Sequence, residues 1–462
     1  MAESGCVAVL DVGKTNIKLL VFDRQGQILD QVGRRNASLP GPPYLHLDTE
    51  GVWQWLLGQL GVMAARWPID TLVATTHGAA PALIDDEGLV LPILDYELEL
   101  PSDIAEAYRA IAPSFEETFA PILPAGLNMA RHIFWQQEAF PDAFRRVRHI
   151  LNYPQYLSWR LCGVAASEVT SIGTHTHLWA PKESRFSSLV DRLGWGRLFP
   201  PIRPAWETLG VIKPEIAART GLREECRVLC GIHDSNAALL LYLRSRGRSF
   251  TLASTGTWMI VLSPSQPLDR LDPARDTVAN VDLTGQPVAT ARFMGGRDYQ
   301  ILTGDDPVAG VTADDIQQLV DQKTFALPSF TPAGPFPDQA GRIVGPEPAT
   351  AAARTALATL YVALMTGVTF DLLEARGELL VDGGFAGNHL YAGLLAALRR
   401  GQTVMVNGAK EGTAIGASLL ASWHDPEVAV PLVLQPIEPV DVRGLEAYAA
   451  EWRRRADGAG AS

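Results

Sequence analysis

Apolar residues near the start of the chain form two short β-rich runs, CVAVL and IKLLVFD, separated by the polar turn DVGKTN and followed by RQGQIL. Runs of this length bounded by turn residues predict strand, tight turn, strand, turn, strand, an antiparallel meander. From Val52 to Trp67 the apolar positions recur at helical spacing, and TLVATTHG then reads as a strand ending in a glycine turn. ALIDDEGLVL predicts a hairpin, and the stretch from Leu100 to about Leu161 alternates helical runs with proline breaks. Between Ser184 and Pro214 proline and tryptophan crowd a segment without sustained period, the mark of an ordered irregular region. RVLCGIHDSNAALLLYL predicts a strand, a sharp turn and a helix, after which RSFTLASTGTWMIVLS repeats the opening strand, glycine turn and strand. A proline-rich loop from Leu327 to Pro346 precedes an apolar helix over Thr355 to Phe370. Two strand-to-helix units follow, ELLVDGGFAGNHLYAGLLAALRR and TVMVNGAKEGTAIGASLLASW.

That recurrence organises the chain into two α/β domains, residues 1–235 and 236–462, each beginning with a hairpin whose turn faces the other. The Thr355–Phe370 run falls short of the roughly 20 residues a bilayer demands, so a buried helix is expected there. With 47% hydrophobic and 19% charged residues the chain can bury real cores. The net charge of −12 disfavours phosphate polymers and anionic lipid, which argues against nucleic-acid and membrane partners. The arginine run in EWRRRADGAGAS fits a solvated helix face. Four cysteines, Cys6, Cys162, Cys226 and Cys230, include no C-x-x-C pair, so neither a disulfide framework nor a thiolate zinc site is expected. With no signal-peptide pattern in MAESGCVAVLDVGKTN, a reduced, cytoplasmic setting is the expectation.

The turn Asp11-Val12-Gly13-Lys14-Thr15-Asn16 can present consecutive backbone N–H groups and a hydroxyl in one concavity, a geometry that holds phosphate oxygens. Lys14 and Lys18 add positive charge, and Asp11 ends a buried strand where a carboxylate would meet a phosphate-bound magnesium ion. GKT is not a P-loop, because G-x-x-x-x-G-K-[ST] needs glycine where Ala8 stands. An ordinary hairpin would look the same, but the second turn, Ser254-Thr255-Gly256-Thr257, pairs with it to suggest two cradles for a nucleoside triphosphate. A third cluster, Asp382-Gly383-Gly384-Phe385-Ala386-Gly387-Asn388, ends a strand and opens a helix. It suits adenosine binding, or glycine packing alone, and is no G-x-G-x-x-G dinucleotide fingerprint. Asp234, between a buried strand and an apolar helix, is either a helix cap or a general base for phosphoryl transfer. His77, Gly78, Asp95 and Glu97 form a polar set at strand ends that fits a hydroxyl-binding floor, with a structural histidine as the plainer alternative. His175 and His177 in THTHL would share one strand face but lack a third metal ligand nearby. Trp135, Trp159, Trp195 and Trp206 fit core or wall positions.

Taken together and in order, DVGKTNIK, THGAA, NYPQYLSWRLCG, GIHDSNAA, STGTW, DGGFAGNHLY and EGTAIGASLLA resemble the FGGY family of carbohydrate kinases. The resemblance runs from Val7 to about Trp423. It implies two ribonuclease-H-like domains of the actin/hexokinase superfold with a central cleft, and ATP and Mg2+ as cofactors. It places Asp11 and Thr15 in the first phosphate motif, the turn in which Gly13, Lys14 and Asn16 also stand, with Lys18 just beyond. Thr255, Gly256 and Thr257 fall on the phosphates, and Gly383, Gly384 and Asn388 in the adenosine motif. Asp234 becomes the catalytic base, and His77, Gly78 and Asp95 join it around the sugar. Lys14 stands where the family usually has a small hydroxyl residue, and Glu97 near a position where many members carry arginine. RHIFWQQE matches the family's first signature only loosely, whereas THGAA and FMGGRDY look closest to rhamnulose, fuculose and xylulose kinases. The expectation is ATP-dependent phosphorylation of a small ketose, with a homodimer compatible. A polyol or glycerol-type kinase and a non-catalytic nucleotide-dependent sugar sensor are the alternatives.

Overall fold

The structure, a computed structural model, describes residues 5–458 apart from 305, 306, 409, 410, 426, 429 and 431. The opening meander forms as its pattern predicts: Cys6–Val12, Asn16–Phe22 and Ile28–Arg35 pair antiparallel in sequence order. On its other side Cys6–Val12 pairs parallel with Ile69–Thr76, which in turn pairs parallel with Arg227–Leu229 and with Ile232–His233. Thr208–Val211 closes that edge antiparallel. Strands flanked on both faces must be apolar throughout, and Val7, Val9, Leu10 and Val12 are all buried. Helix Thr49–Ala64 follows the meander, capped by the Asp48 side chain on Gly51 N–H at 2.9 Å.

A second seven-stranded sheet repeats the plan. Phe250–Thr255, Met259–Ser263 and Pro287–Phe293 form the antiparallel meander, and Glu378–Gly383 and Val404–Asn407 continue it in parallel. Thr277–Val281 and Leu434–Pro436 lie at the two edges. Numbering the meander strands 1 to 3, both sheets have the order 3-2-1-4-5.

The chain divides into two compact units that are interleaved in sequence, which a single cut at 235/236 does not express. The first comprises Met1–Ser245, Ala279–Pro287 and Glu411–Pro431, and the second Arg246–Val278, Val288–Lys410 and Leu432–Ser462. Helix Asp234–Arg246 stays with the first unit, where Asn236 Nδ2 donates to Val281 O and Gly416 lies against the backbone of Ala237.

Three local expectations are corrected. Pro81–Ile84 does not pair along ALIDDEGLVL but antiparallel with His149–Asn152, leaving a single bridge from Ile84 to Leu89. The Asp85 side chain closes the turn on the Glu87 and Gly88 N–H groups, Val90 N–H donates to Leu83 O at 2.8 Å, and all four strand residues are buried. His175 and His177 do not share a strand face, since both have left-handed backbone, φ 41° and 67°. His177 is fully engaged instead, its ring nitrogens meeting Tyr108 Oη at 2.9 Å and Ala120 O at 3.0 Å. The apolar helix spans Ala351–Leu372, 22 residues, which is long enough to cross a bilayer. Burial rather than length speaks against a span, because 83% of its most apolar window is enclosed by the fold.

The approach of Gly416 to Ala237 is tight enough that a Cβ would fall 1.8 Å from the Ala237 carbonyl oxygen. Gly416→Ala therefore forces two backbones apart and should cost about 1–3 kcal/mol. The stacked pair Trp206 and Trp423, 4.8 Å between ring centroids in the same unit, gives the fluorescence signal for denaturant titration. An unchanged midpoint would contradict this packing.

Candidate active site

Strand register assembles the site in the first unit. Asp11 lies opposite Thr75, Val12 opposite Thr76, Ile232 opposite Thr75 and His233 opposite Thr76. The carboxyl ends of three parallel strands are thereby level, and Gly13, His77 and Asp234 leave the sheet side by side. Open α/β sheets bind ligands at this edge. His77 N–H donates to Val12 O at 3.0 Å, and Gly78 needs its lack of side chain because a Cβ would come within 2.8 Å of His233 Nε2. The hairpin turn is closed by Gly13 N–H on Asn16 O at 2.9 Å and by Asn36 Nδ2 on Gly13 O at 2.9 Å. Thr15 and Asn16 are exposed at its tip.

Carboxylates crowd this edge. Burial, and next the Asp234 carboxylate, push the Asp11 carboxyl up to about 7, with Lys18 pulling the other way and Glu411 adding to the rise. Lys18 donates to both oxygens of Glu411, at 2.8 and 2.6 Å. Lys14 leaves the turn to pair with Asp95, which also accepts from the Ser38 hydroxyl. Burial alone would raise the Asp95 carboxyl, but these bonds outweigh it and hold it below the usual range. Burial likewise keeps the His77 imidazole below its ordinary value.

Asp234 is the first residue of its helix, and its Oδ1 accepts from Ser235 N–H at 2.6 Å with His233 Nε2 at 3.3 Å. The backbone of His233, just ahead of it, is held by two residues that sequence reasoning missed. The buried Glu168 carboxylate accepts from Thr170 N–H at 3.0 Å and from the Thr170 hydroxyl at 2.6 Å, and that hydroxyl accepts His233 N–H at 3.2 Å. Burial lifts the Glu168 carboxyl to about 7 despite these donors. A buried glutamate ahead of V-T-S was the available signal.

In the second unit, Thr255 and Gly383 are register partners. The Thr255 hydroxyl donates to Asp382 O at 2.5 Å and accepts Phe385 N–H at 2.8 Å, tying the turn to the glycine cluster. Gly383 has φ 86°, and a Cβ on it would lie 2.2 Å from Thr255 O. Beside them opens a cavity of about 550 Å³ lined by Gly256, Thr257, Gly384 and Asn388 together with Gly296, Arg297, Tyr299, Gln300 and Phe385. That volume suits a small organic ligand. Asn388 caps the helix His389–Leu398 by accepting from Tyr391 N–H at 3.0 Å. The FMGGRDY segment was legible as a motif, but its lining role was not.

Residues 114–240 match the N-terminal domain of the FGGY family of carbohydrate kinases, and residues 247–429 match the FGGY C-terminal domain. A carbohydrate kinase from Novosphingobium aromaticivorans is 35% identical, with a TM-score of 0.90 over 99% of this chain and 100% of that one. The chain belongs to the FGGY family of carbohydrate kinases. Its fold is the two-sheet actin/hexokinase type of these kinases, shared also with xylulose kinase from Rhodospirillum rubrum at TM-score 0.81 and 18% identity, over 98% of each chain. L-Fuculokinase of Salmonella typhi is 24% identical over 57% of this chain, and xylulose kinase of Haemophilus influenzae 23% over 64%. This FGGY chain spans 57% of the fuculokinase's length and 63% of the xylulose kinase's. Asp11, His77 and Asp95 precede the matched N-terminal segment, so the geometry above is what places them.

Thr170→Val should leave the buried His233 N–H without an acceptor and cost about 1–3 kcal/mol, with Thr170→Ser close to the parent. Denaturant titration and hydrogen exchange at the His233 amide measure it. Equal exchange rates in parent and valine variant would remove the Glu168–Thr170 support.

Proposed function

We propose that this chain transfers the terminal phosphoryl group of ATP to a hydroxyl of a small sugar, with Asp234 as general base. The observation that carries the reading is the levelling of Gly13, His77 and Asp234 just past the carboxyl ends of three adjacent parallel strands, with Asp11 two residues back on the first of them. The family supports sugar phosphorylation, and the names L-fuculokinase and xylulose kinase among the relatives favour a ketose.

In this mechanism the second unit holds the nucleotide. Thr255, Gly256 and Thr257 meet its phosphates through backbone N–H groups, and Gly383, Gly384 and Asn388 border the adenosine. On the first unit, Thr15, Asn16, the Gly13 backbone and Lys18 are the candidates for phosphate contact. The sugar rests on His77, Gly78 and Asp95. Asp234 aligns its hydroxyl and takes the proton as the new O–P bond forms and the bond to the ADP oxygen breaks. Because phosphoryl transfer is loose, the base acts late, and a carboxylate of ordinary strength suffices.

A magnesium ion fits the donor chemistry. Among the described residues no group of three or more His, Cys, Asp or Glu side chains could hold a metal by itself. Mg2+ keeps most of its waters and needs only one or two carboxylates beside nucleotide phosphates. Asp11, its carboxyl raised by burial and by Asp234, is the group that such a cation would relieve. When bound, the ion supplies charge neutralisation at the phosphates.

ADP release measured across ketoses, polyols, aldoses and aldonates identifies the acceptor class, with ketoses expected to lead. Asp234→Asn should lower kcat by roughly 10²–10⁴-fold while calorimetry still detects ATP and sugar binding. Near-normal turnover in that variant removes Asp234 as base. Chelation with EDTA should abolish ADP release and added Mg2+ restore it; turnover that persists in EDTA would count against the metal assignment.

A further inference from the structure

Lys14 comes from the turn that the sequence assigns to phosphate, yet its side chain goes elsewhere. Its ammonium pairs with Asp95, lies 3.6 Å from Glu97 Oε2 and 3.5 Å from the Ser38 hydroxyl, and sits 5.0 Å from the Tyr96 ring centroid. The pair is well enclosed, with 19% of the Lys14 side chain and 2% of the Asp95 side chain exposed. An ammonium so held faces Asp95 and Glu97, so any further donor contact it makes is made beside those carboxylates.

On another side of the Tyr96 ring stands His77, 5.6 Å between centroids. Its Nδ1 meets Gly78 O at 2.9 Å, and a carbonyl can only accept, so Nδ1 carries the proton and Nε2 the lone pair. His77 is 6% exposed, and its buried Nε2 has no hydrogen-bond partner among the described residues. A buried acceptor left open is costly unless a ligand or water donates to it.

These groups form a set with a definite chemical preference. His77 Nε2 and the Asp95 carboxylate accept, and the Lys14 ammonium donates beside them. Neighbouring acceptor and donor of this kind match adjacent hydroxyls, each of which gives one hydrogen and takes another. The local charge is one ammonium against two carboxylates, Asp95 and Glu97, with Asp234 and Asp11 at the same sheet edge, so an anionic acid sugar meets net repulsion.

We propose that Lys14 is a specificity-determining residue of the sugar subsite, its ammonium donating to and the Asp95 carboxylate accepting from a vicinal diol of a neutral sugar, rather than a ligand of the nucleotide phosphates. This rests on the kinase reading above and adds the substrate class.

The test separates the two. In the full-length protein, Lys14→Thr should raise the sugar KM by about tenfold or more with the ATP KM within about twofold of the parent. Lys14→Arg, which keeps the ion pair, should recover part of the sugar KM, and thermal melting confirms that both variants fold. The neutral-over-aldonate preference should widen in Lys14→Thr, because loss of the ammonium leaves the Asp95 and Glu97 carboxylates unopposed. A raised ATP KM with an unchanged sugar KM, or melting loss with selectivity intact, overturns the proposal. If the parent releases no ADP with any sugar, the kinase reading fails separately. The Lys14 assignment is then decided by whether the thermal shift that a neutral ketose induces in the parent is lost in Lys14→Thr; a shift kept in the variant, or none in the parent, overturns it.

Discussion

Everything at the candidate site depends on the register of Cys6–Val12 against Ile69–Thr76. Side chains alternate across a strand, so a slip of one residue would turn Asp11 to the opposite face and carry His77 out of line with Val12. What pins the register is apolar. Val9, Val12, Leu20 and Val73 are almost wholly enclosed, and each such side chain gains about 1.5–3 kcal/mol on burial. Exposed ion pairs contribute about 1 kcal/mol at most. The core therefore sets where the polar groups emerge, and the polar groups only tune what emerges there.

That placement has an electrostatic consequence. Two lysines in or next to the turn could have neutralised Asp11, but Lys18 is committed to Glu411 and Lys14 to Asp95. Asp11 is left half-buried near another carboxylate, and its raised proton affinity follows. Such an edge disfavours a bare anion and favours one that arrives with its own cation. Under the proposed reading a magnesium nucleotide meets that condition, and a neutral sugar adds no charge to it.

Much of this was legible because it is local. A strand, a glycine turn and a polar residue at the strand end are contiguous signals, which is why Asp11, His77, Asp234, Thr255 and Gly383 stood out. Lys14 was visible as a residue but not by its destination, which lies 81 positions away at Asp95. Glu168 escaped because a four-residue helix, Val169–Ile172, has no period to detect. THTHL imitates strand alternation, and only backbone dihedrals reveal a turn. The helix beginning at Ala351 was read short because its first turn, AAAR, is weakly apolar although it has strong helix propensity.

The two sheets share a strand order but not a chemistry. In the first, the hairpin turn is flanked by lysines and carboxylates, so position there is expressed as charge. In the second, the corresponding turn is neutral, and its threonine hydroxyl binds the strand and glycine loop beside it. Replacing Gly383 with any residue bearing a Cβ would strike Thr255 O, so the second site is built from close backbone approach. Its backbone N–H groups are positioned by neighbouring backbone and by the Thr255 hydroxyl, with Gly383 N–H donating to the Asp382 carboxylate at 2.7 Å, an arrangement that suits a ligand recognised by shape. Charged side chains suit a partner whose protons must be moved or matched. Under the proposed reading the duplicated plan separates holding from chemistry at the level of which atoms each turn exposes.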